Sequence, residues 1–498
     1  MNTNETPRRA ASAALYDEIK ARIADGTYAA GMALPSTRAL AGERRLSRTT
    51  VSLVYEQLAA DGFIETRAGA ASRVAPGAAP GKRTLAHGSK HARGSRLVRH
   101  SGRLSTIGAR MPSLAYPEAP LPASGEIDFI YGPLAGRDFP TLTWLKALRT
   151  VERQRPARLS YEDPRGNLDL RKALQAHLSH ARGLSCSVEQ ILIVSGSQQA
   201  LDLCARLLVS PGDTVAVENP GYRMAHNVFE AYGATLVGVD VDALGMRTEL
   251  LAAIPQAQLA YVTPTHQFPL GAFLPIGRRH ALLDWAARHG TWIIEDDYDS
   301  EYRYSVRPEA TLQSLDTHGC VLHVGTFSKT LSPQLRLGYM VLPPRLVETF
   351  SIAKRLTDWH ANTGLQRALA VLLDNGSYDR HVRRIRRLQH ARQRALVEAL
   401  ATHLGERVEV QGAASGLHLV VWFSGLKRQR EQMLVEAARR GGVLVYPIST
   451  FFHPAFGSEA SDRPAGLVMG YALLEPPQID EGVLRLAAAL KRLESRTR

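Results

Sequence analysis

From about residue 126 to about residue 345, short apolar runs alternate with amphipathic segments, and this alternation constrains the fold more than any other feature. The segments 198–208 and 278–289 show apolar residues at helical spacing. Strands that alternate with helices favour a mostly parallel sheet covered by helices on both faces. After residue 345 the pattern turns helical through Leu404 and then becomes mixed, which suggests a smaller C-terminal subdomain. The predicted strands are 191–194, 214–218, 235–241, 259–263, 292–295, 321–324 and 337–342.

Residues 12–75 form a separate region, in which three short helices precede a hairpin. Ser36 and Ser47 each stand where a side-chain oxygen can cap the start of a helix. After Gly62, the segment FIETRAGAASRV predicts a two-stranded wing. A helix-turn-helix reads the major groove with the first residues of its second helix, so this pattern predicts a DNA-binding domain. A small helical bundle with no nucleic-acid partner is the simpler alternative.

The residues between these regions, 76–125, are rich in Ala, Gly, Pro, Ser and basic residues, and we predict a basic, flexible interdomain linker. Residues 81–110 contain eight Lys or Arg and no Asp or Glu, in a chain whose net charge is +14. Such a block attracts a polyanion such as DNA by releasing counterions, but a solvated linker has the same composition. Both interpretations stay open.

Composition excludes several classes of protein. Hydrophobic residues make up 45% and charged residues 22%, an ordinary globular mixture. No apolar run approaches the roughly 18 residues of a membrane span. The polar N-terminus, Met1–Arg9, predicts no export signal, and the three cysteines are too scattered for a disulfide framework or a metal cage. We therefore expect a cytoplasmic protein with no metal site and no membrane partner.

Four motifs in the alternating region carry chemistry: VSGSQQAL, ENPGYRM, IIEDDYDSEY and GTFSKTLSPQLRLGY. Each alone is more often structural, as a helix start, a core tyrosine or a solvated acidic loop. Together they supply what pyridoxal 5'-phosphate needs. These needs are a lysine for a Schiff base, a carboxylate for the pyridinium nitrogen, a hydroxyl for the phenolate, an aromatic ring to stack on, and a phosphate site. The combination predicts a pyridoxal-phosphate site at the ends of several strands.

The run from LPSTRALA through SRTTV and YEQL to DGFIETRAG resembles the winged helix-turn-helix of GntR-type regulators. The resemblance implies a small α+β DNA-binding domain over residues 12–75. It also implies that Arg38, Arg48, Thr49 and Thr50, with the wing around Arg67 and Gly69, contact promoter DNA. The family's wing tip usually reads Gly-x-Gly-Thr. Here the tip is Gly-Ala-Ala-Ser, which lacks the second glycine.

Residues 126–498 resemble class I aminotransferases, and in particular the aminotransferase-like half of MocR/GabR-type regulators. SYEDPRGNLDLR and TPTHQFPLG, together with the four motifs above, carry this resemblance. It implies a multidomain protein with a fold-type I α/β domain, with a large subdomain at about 150–345 and a small one at about 375–498. It also implies a head-to-tail homodimer. By motif, Lys329 forms the Schiff base, Asp296 faces the pyridine nitrogen, Tyr298 the phenolate, and Tyr222 stacks on the ring. The implied phosphate ligands are Ser197, Gln198, Ser328 and Arg336, with Tyr161 reaching in from a second subunit.

Two departures from ordinary aminotransferases bear on activity. His266 and Gln267 lie where those enzymes have an asparagine near the ring, and Val468 lies where they present an arginine to the substrate carboxylate. Without that clamp, transamination of amino acids is disfavoured, unless another residue such as Arg223 supplies it. We therefore predict a transcriptional regulator that senses pyridoxal phosphate or a small amine or amino-acid-like effector. A working aminotransferase that also binds DNA, and a DNA-binding module with an inactive scaffold, are the alternatives.

Overall fold

The computed structural model describes residues 5–67, 69–78, 102–115, 120–154, 158–254, 256–304, 310–456 and 463–495. The chain divides into two compact units, Met1–Ser101 and Gly102–Arg498.

The first unit contains three helices and a hairpin, as the sequence predicts. Its core joins Leu15, Ile19 and Ile23 of the first helix to apolar residues of the third. Ser36 Oγ accepts a hydrogen bond from the Ala39 amide at 3.1 Å, and Ser47 Oγ accepts one from the Thr50 amide at 3.1 Å. Both predicted caps are therefore confirmed. The elements are α1 (Glu5–Ala24), α2 (Thr37–Arg44), α3 (Arg48–Ala60), β1 (Ile64–Glu65) and β2 (Arg73–Val74).

The wing forms where the sequence predicts it, with β1 and β2 paired antiparallel and Ile64 opposite Val74. The backbone of the segment before α2 also pairs with the edge of the wing, which the sequence did not predict. The Leu34 amide donates to the Ser72 carbonyl at 2.8 Å, and the Val74 amide donates to the Met32 carbonyl at 3.0 Å. The wing is thus tied to the helical core through the backbone.

The second unit is built around an eight-stranded sheet in the order β4-β11-β10-β9-β8-β5-β6-β7. Strands β5, β6, β8, β9 and β10 run parallel, whereas β11 and β7 run antiparallel to their neighbours. Only one turn of 3-10 helix (Pro333–Leu335), and no α-helical crossover, separates β10 from β11, so the chain can reverse there. The mostly parallel sheet is confirmed. The strands are β3 (Ile127–Asp128), β4 (Ile191–Val194), β5 (Thr214–Asn219), β6 (Thr235–Asp242), β7 (Gly245–Met246), β8 (Leu259–Val262), β9 (Trp292–Asp297), β10 (Val321–Thr326) and β11 (Gly338–Val341).

Helices cover the sheet and then dominate the chain after β11. They are α4 (Thr106–Arg110), α5 (Thr141–Arg153), α6 (Leu168–Arg182), α7 (Ser197–Leu208), α8 (Arg223–Ala231), α9 (Ile276–His289), α10 (Leu312–Leu315), α11 (Val347–Asp358), α12 (Thr363–Asp374), α13 (Ser377–His403), α14 (Glu431–Arg440) and α15 (Pro476–Ser495). A second sheet, in the order β12-β13-β16-β15, packs with α13, α14 and α15 around a separate apolar core. Its strands, with the neighbouring β14, are β12 (Val408–Gln411), β13 (His418–Lys427), β14 (Val443–Leu444), β15 (Tyr446–Pro447) and β16 (Pro464–Gly470).

Part of the basic segment between the two predicted domains is folded onto the second unit. Ser105 caps α4, and Arg110 Nη1 donates to the Ala231 carbonyl at 3.3 Å. Residues 79–101, which include most of the basic block, lie outside the described residues. The domain limits and any contact of the linker with DNA therefore stay predictions. Within the described ranges, no helix is long and apolar enough to cross a membrane.

Candidate functional site

A cavity of about 300 Å³ opens at the carboxyl ends of the parallel strands, where open α/β sheets bind ligands. Every predicted cofactor residue except Tyr161 lines it. The lining residues are Tyr131, Gly132, Ser197, Gln198, Tyr222, Tyr261, Thr263, Phe268, Asp296, Tyr298, Asp299, Thr326, Ser328, Lys329, Pro333, Arg336, Leu417 and His418.

Lys329 follows β10 and directs its amine into the cavity. Its Nζ donates to the Gly132 carbonyl at 2.9 Å, and the Tyr302 hydroxyl donates to the Lys329 carbonyl at 2.6 Å, which holds the backbone. Burial lowers the pKa of this amine below its ordinary value, although the carboxylates of Asp299 and Asp296 oppose the shift. A lowered pKa makes a larger fraction of the amine neutral and therefore nucleophilic.

Asp296, at the end of β9, lies in the same cavity and is only 4% exposed. Its Oδ2 accepts a hydrogen bond from the Tyr261 hydroxyl at 2.7 Å. Its Oδ1 is buried and has no hydrogen-bond partner among the residues that the structure describes. Burial is the main cause that raises the pKa of this carboxyl to about 6. An orphaned carboxylate oxygen facing a cavity fits a cationic N–H donor, as a protonated pyridine nitrogen would supply.

The opposite end of the cavity is built for an anion. α7 begins at Ser197, so the amides of its first turn point into the cavity end. Arg336 Nη2 donates to the Ser195 carbonyl at 2.6 Å and packs over Gly196. Thr326 Oγ1 donates to Ser328 Oγ at 2.9 Å. A helix N-terminus, a guanidinium and two hydroxyls together fit a phosphate group.

Gly196 is required at this turn. Its backbone has φ +82° and ψ 169°, a conformation that is essentially restricted to glycine. A Cβ there would lie 2.8 Å from Arg336 Nη2. The glycine thus lets the guanidinium approach the start of α7.

The wall between these two ends is aromatic. Tyr298 lies with its hydroxyl 3.0 Å from His266 Nδ1, and Tyr222 meets Phe268 edge-on at 5.7 Å between ring centroids. Gln267 does not line the cavity. Its amide donates to the Pro220 and Phe268 carbonyls, so it holds the loop between β8 and α9 in place.

Sequence reasoning did not identify several lining residues. Tyr261 lies within the apolar strand β8, where a tyrosine looks like a core residue. Its only sequence signal is that a buried phenol needs a partner, here Asp296. Gly132 and His418 come from distant parts of the chain, before α5 and at the start of β13, and no local motif marks them.

Val468 is fully buried in β16, opposite Val420 and Tyr446. Arg463 lies with its guanidinium 5.4 Å from the ring centroid of Phe452. Arg223 lines a larger neighbouring cleft of about 920 Å³ rather than the 300 Å³ cavity. Within the described part of the chain, Arg336 is therefore the only arginine that lines the cofactor cavity.

In the first unit, the predicted DNA-contacting residues lie on the surface of α2, α3 and the wing. Arg38, Arg48 and Thr49 are exposed, whereas Thr50 is half-buried and its hydroxyl lies 2.7 Å from the hydroxyl of Ser47. Arg67 and Gly69 are exposed at the wing tip, and Gly69 has φ +78°. Ala68 between them lies outside the described residues.

Tyr161 is 72% exposed, and its ring centroid lies 4.4 Å from that of Trp359. It does not line the cavity of its own chain.

The sheet order, the strand-end cavity and its lysine, aspartate and anion site define the fold-type I class, whose cofactor is pyridoxal phosphate. Comparisons with known proteins agree. Residues 133–457 match the family described as aminotransferase class I and II, and residues 11–74 match the family described as bacterial regulatory proteins, gntR family. The multiple substrate aminotransferase from Thermococcus profundus is 30% identical, with a TM-score of 0.69, over 75% of this chain and 93% of that one. The kynurenine aminotransferase from Pyrococcus horikoshii, solved with PMP, is 29% identical, with a TM-score of 0.68, over 79% and 96%.

One relative matches this chain over both its DNA-binding and its aminotransferase-like regions. The chain is 36% identical to the probable rhizopine catabolism regulatory protein MocR of Rhizobium meliloti, over 97% of this chain and 94% of that protein. It belongs to the MocR-type subfamily of GntR regulators, which joins a DNA-binding winged helix-turn-helix to a pyridoxal-phosphate-type aminotransferase domain.

Proposed function

We propose that this regulator holds pyridoxal phosphate in the 300 Å³ cavity and changes its affinity for promoter DNA when a small amine reaches the same cavity. The observation that carries the proposal is the buried, unpartnered Oδ1 of Asp296 in the cavity that also receives the Lys329 amine. When bound, the cofactor supplies an aldehyde that condenses with amines and a ring that withdraws electrons.

The residues present fit this group at each end. Lys329 would hold the aldehyde carbon, Asp296 the ring nitrogen and Tyr298 the ring oxygen, with Tyr222 against the ring face. Ser197, Gln198, Ser328 and Arg336 would hold the phosphate, since they surround the start of α7. Arg336 would then be occupied by the phosphate.

The effector that this cavity favours is an amine without an α-carboxylate. With Arg336 at the phosphate and Lys329 on the aldehyde, no further cation lines the cavity among the described residues. The remaining wall includes the uncharged side chains of Tyr131, Phe268 and Leu417, together with the carboxyl group of Asp299. A carboxylate would be desolvated there without a bidentate partner.

A second copy of the chain is the proposed partner of an exposed apolar surface around Tyr161. Leu159 is 81% exposed, Leu356 is 79% exposed, and the Trp359 ring is tilted against that of Tyr161. Covering this surface in a head-to-tail homodimer would bring the Tyr161 of one chain toward the cavity of the other. Such a dimer presents two winged helix-turn-helix domains and therefore predicts an operator with two half-sites.

DNA binding would use Arg38, Arg48, Thr49, Thr50, Arg67 and Gly69, in the cytoplasm. An effector changes DNA affinity only if it binds two arrangements of the protein unequally. The amine must therefore favour one arrangement of the cofactor-loaded protein.

The test is a visible absorbance scan of the purified protein with pyridoxal phosphate, followed by borohydride reduction and peptide mapping. We expect a cofactor band and a reduced adduct on Lys329. Lys329→Ala should lose both, whereas Lys491→Ala, which changes an exposed lysine on α15, should keep both. A colourless wild-type protein with no trapped adduct would refute the proposal. A Lys329→Ala variant that keeps its absorbance and gene regulation would support an inactive scaffold instead.

A working aminotransferase is the second candidate, because Lys329, Asp296 and Tyr298 are all in place in one cavity. The test is amino-group transfer from a panel of amines and amino acids to a keto-acid acceptor. Sustained turnover across common amino acids would favour this candidate, whereas cofactor binding without turnover would favour the regulator.

A further inference from the structure

Beside the cavity, one imidazole nitrogen lies between two oxygens. His266 Nδ1 is 2.9 Å from Asp299 Oδ2 and 3.0 Å from the Tyr298 hydroxyl. His266 does not line the cavity, and the proposed function assigns no role to it or to Asp299.

The chemistry of the three groups fixes the direction of the hydrogen bonds. A carboxylate only accepts, so the proton between Asp299 and His266 must reside on Nδ1. A protonated Nδ1 cannot accept the Tyr298 proton. The Tyr298 oxygen therefore shares the Nδ1–H, and its own O–H is directed elsewhere. With the proton on Nδ1, Nε2 of the neutral ring is the bare nitrogen, and it is buried without a partner among the described residues.

The imidazole is held rigidly. A Cβ on Gly416 would lie 2.1 Å from His266 Cε1, and one on Gly271 would lie 3.1 Å from Nε2, so both positions leave room only for glycine. The Gly416 carbonyl accepts hydrogen bonds from Tyr304 at 2.7 Å and Tyr471 at 2.6 Å. A ring clamped in this way keeps Nδ1 aimed at its two partners.

The neighbouring imidazole does not disturb this arrangement. The ring centroid of His418 lies 5.4 Å from that of His266, and His418 Nε2 donates to the Pro269 carbonyl at 3.0 Å. Burial and His266 lower the pKa of His418 to about 3, so His418 stays neutral at physiological pH. In the described part of the chain, the titratable groups with a hydrogen-bond or ring contact to His266 are Asp299, Tyr298 and a neutral His418.

We propose that His266 and Asp299 are positioning residues that turn the Tyr298 O–H into the cavity, where it donates to the ring oxygen of the cofactor. Asp299 keeps the proton on Nδ1, and Nδ1 in turn donates to the Tyr298 oxygen. This inference rests on the proposed function, since it needs the cofactor in the cavity. A hydrogen bond to the Tyr298 oxygen also strengthens the bond that Tyr298 donates.

The experiment is a pH titration of the visible absorbance of the cofactor-loaded protein. Donation to the ring oxygen stabilises its ionised form, so weakening that donation should raise the pH midpoint. Asp299→Asn and His266→Phe should each raise it by about half a pH unit or more, toward the value of Tyr298→Phe. His266→Asn keeps an N–H donor and should stay closer to the wild type than His266→Phe does.

His403→Asn is the matched control, because His403 Nε2 lies 2.9 Å from Asp480 Oδ1 at the end of α13, in a pair that does not line the cavity. It should leave the midpoint unchanged. Midpoints of Asp299→Asn and His266→Phe equal to the wild type would overturn the inference. Weaker cofactor binding without a shift of the midpoint would also overturn it, because a loss of packing alone explains that result. If the wild type itself shows no cofactor absorbance, the proposed function fails instead.

Discussion

Replacing Gly196 by alanine tests the anion end of the cavity most directly. The alanine must adopt φ +82° and ψ 169°, which costs on the order of 1–3 kcal/mol in a non-glycine residue. Its Cβ would also lie 2.8 Å from Arg336 Nη2. The guanidinium must then retreat from the start of α7, with the loss of a charge-assisted hydrogen bond to the phosphate that is worth about 1.5–3 kcal/mol.

The second cost acts on cofactor binding, because in the proposed function Arg336 reaches the phosphate only from its present place. A loss of about 1.5–3 kcal/mol corresponds to a decrease in cofactor affinity of roughly 10- to 100-fold. The assay is a titration of the purified protein with pyridoxal phosphate, followed by absorbance, together with a thermal melt of the cofactor-free protein.

The control is Gly183→Ala at the end of α6, where φ is +65° and a Cβ meets nothing within 4 Å. This variant has backbone strain but no steric conflict, so it should melt slightly earlier and bind the cofactor normally. If Gly196→Ala binds pyridoxal phosphate as tightly as Gly183→Ala does, Arg336 does not hold the phosphate from this position.

Three further predictions concern both units. In the cofactor-free protein, the raised pKa of Asp296, about 6 against about 4 when unfolded, means that its neutral form stabilises the fold. That contribution, on the order of 3 kcal/mol, is present below pH 4 and lost as the pH rises through 6, and Asp296→Asn should remove this dependence in pH-resolved melts. Ser47→Ala removes the cap of α3 and should cost the first unit about 1 kcal/mol in chemical denaturation, whereas a change within about 0.2 kcal/mol would contradict the cap's role. Arg48→Ala should weaken operator binding and reduce the slope of log affinity against log salt by about 1 in a gel-shift series, and an unchanged slope would exclude a phosphate contact.

Local sequence patterns predicted most of the fold because the relevant signals lie close together in the chain. Ser36 and Ser47 cap the helices they precede, and the interaction spans three residues in each case. The apolar runs predicted the major strands because a strand buried on both faces must be apolar throughout. The antiparallel direction of β11 was not predictable from its own residues, since direction depends on how the chain returns to the sheet.

The residues of the candidate site also differ in whether a local sequence pattern could predict them. Lys329, Asp296 and Ser197 stand in motifs at strand ends, and the structure brings them to one cavity. Tyr261 and Asp296 are 35 residues apart, so their hydrogen bond depends on the pairing of β8 with β9 rather than on any motif. His266 and Gly416 contact one another across a still longer separation. No single-sequence pattern reports such contacts.

Val468, which by resemblance occupies the position of the carboxylate-binding arginine of aminotransferases, lies in an apolar region rather than beside polar groups. Val468 packs with Phe268, Ile448 and Phe451 in an apolar cluster, and Val420 lies opposite it in the sheet. An arginine at this position would bury its charge among these apolar side chains. We therefore expect Val468→Arg to destabilise the second sheet rather than create a substrate clamp. The same packing supports the proposed preference for amines over amino acids, because the apolar side chains around Val468 offer a carboxylate no cation.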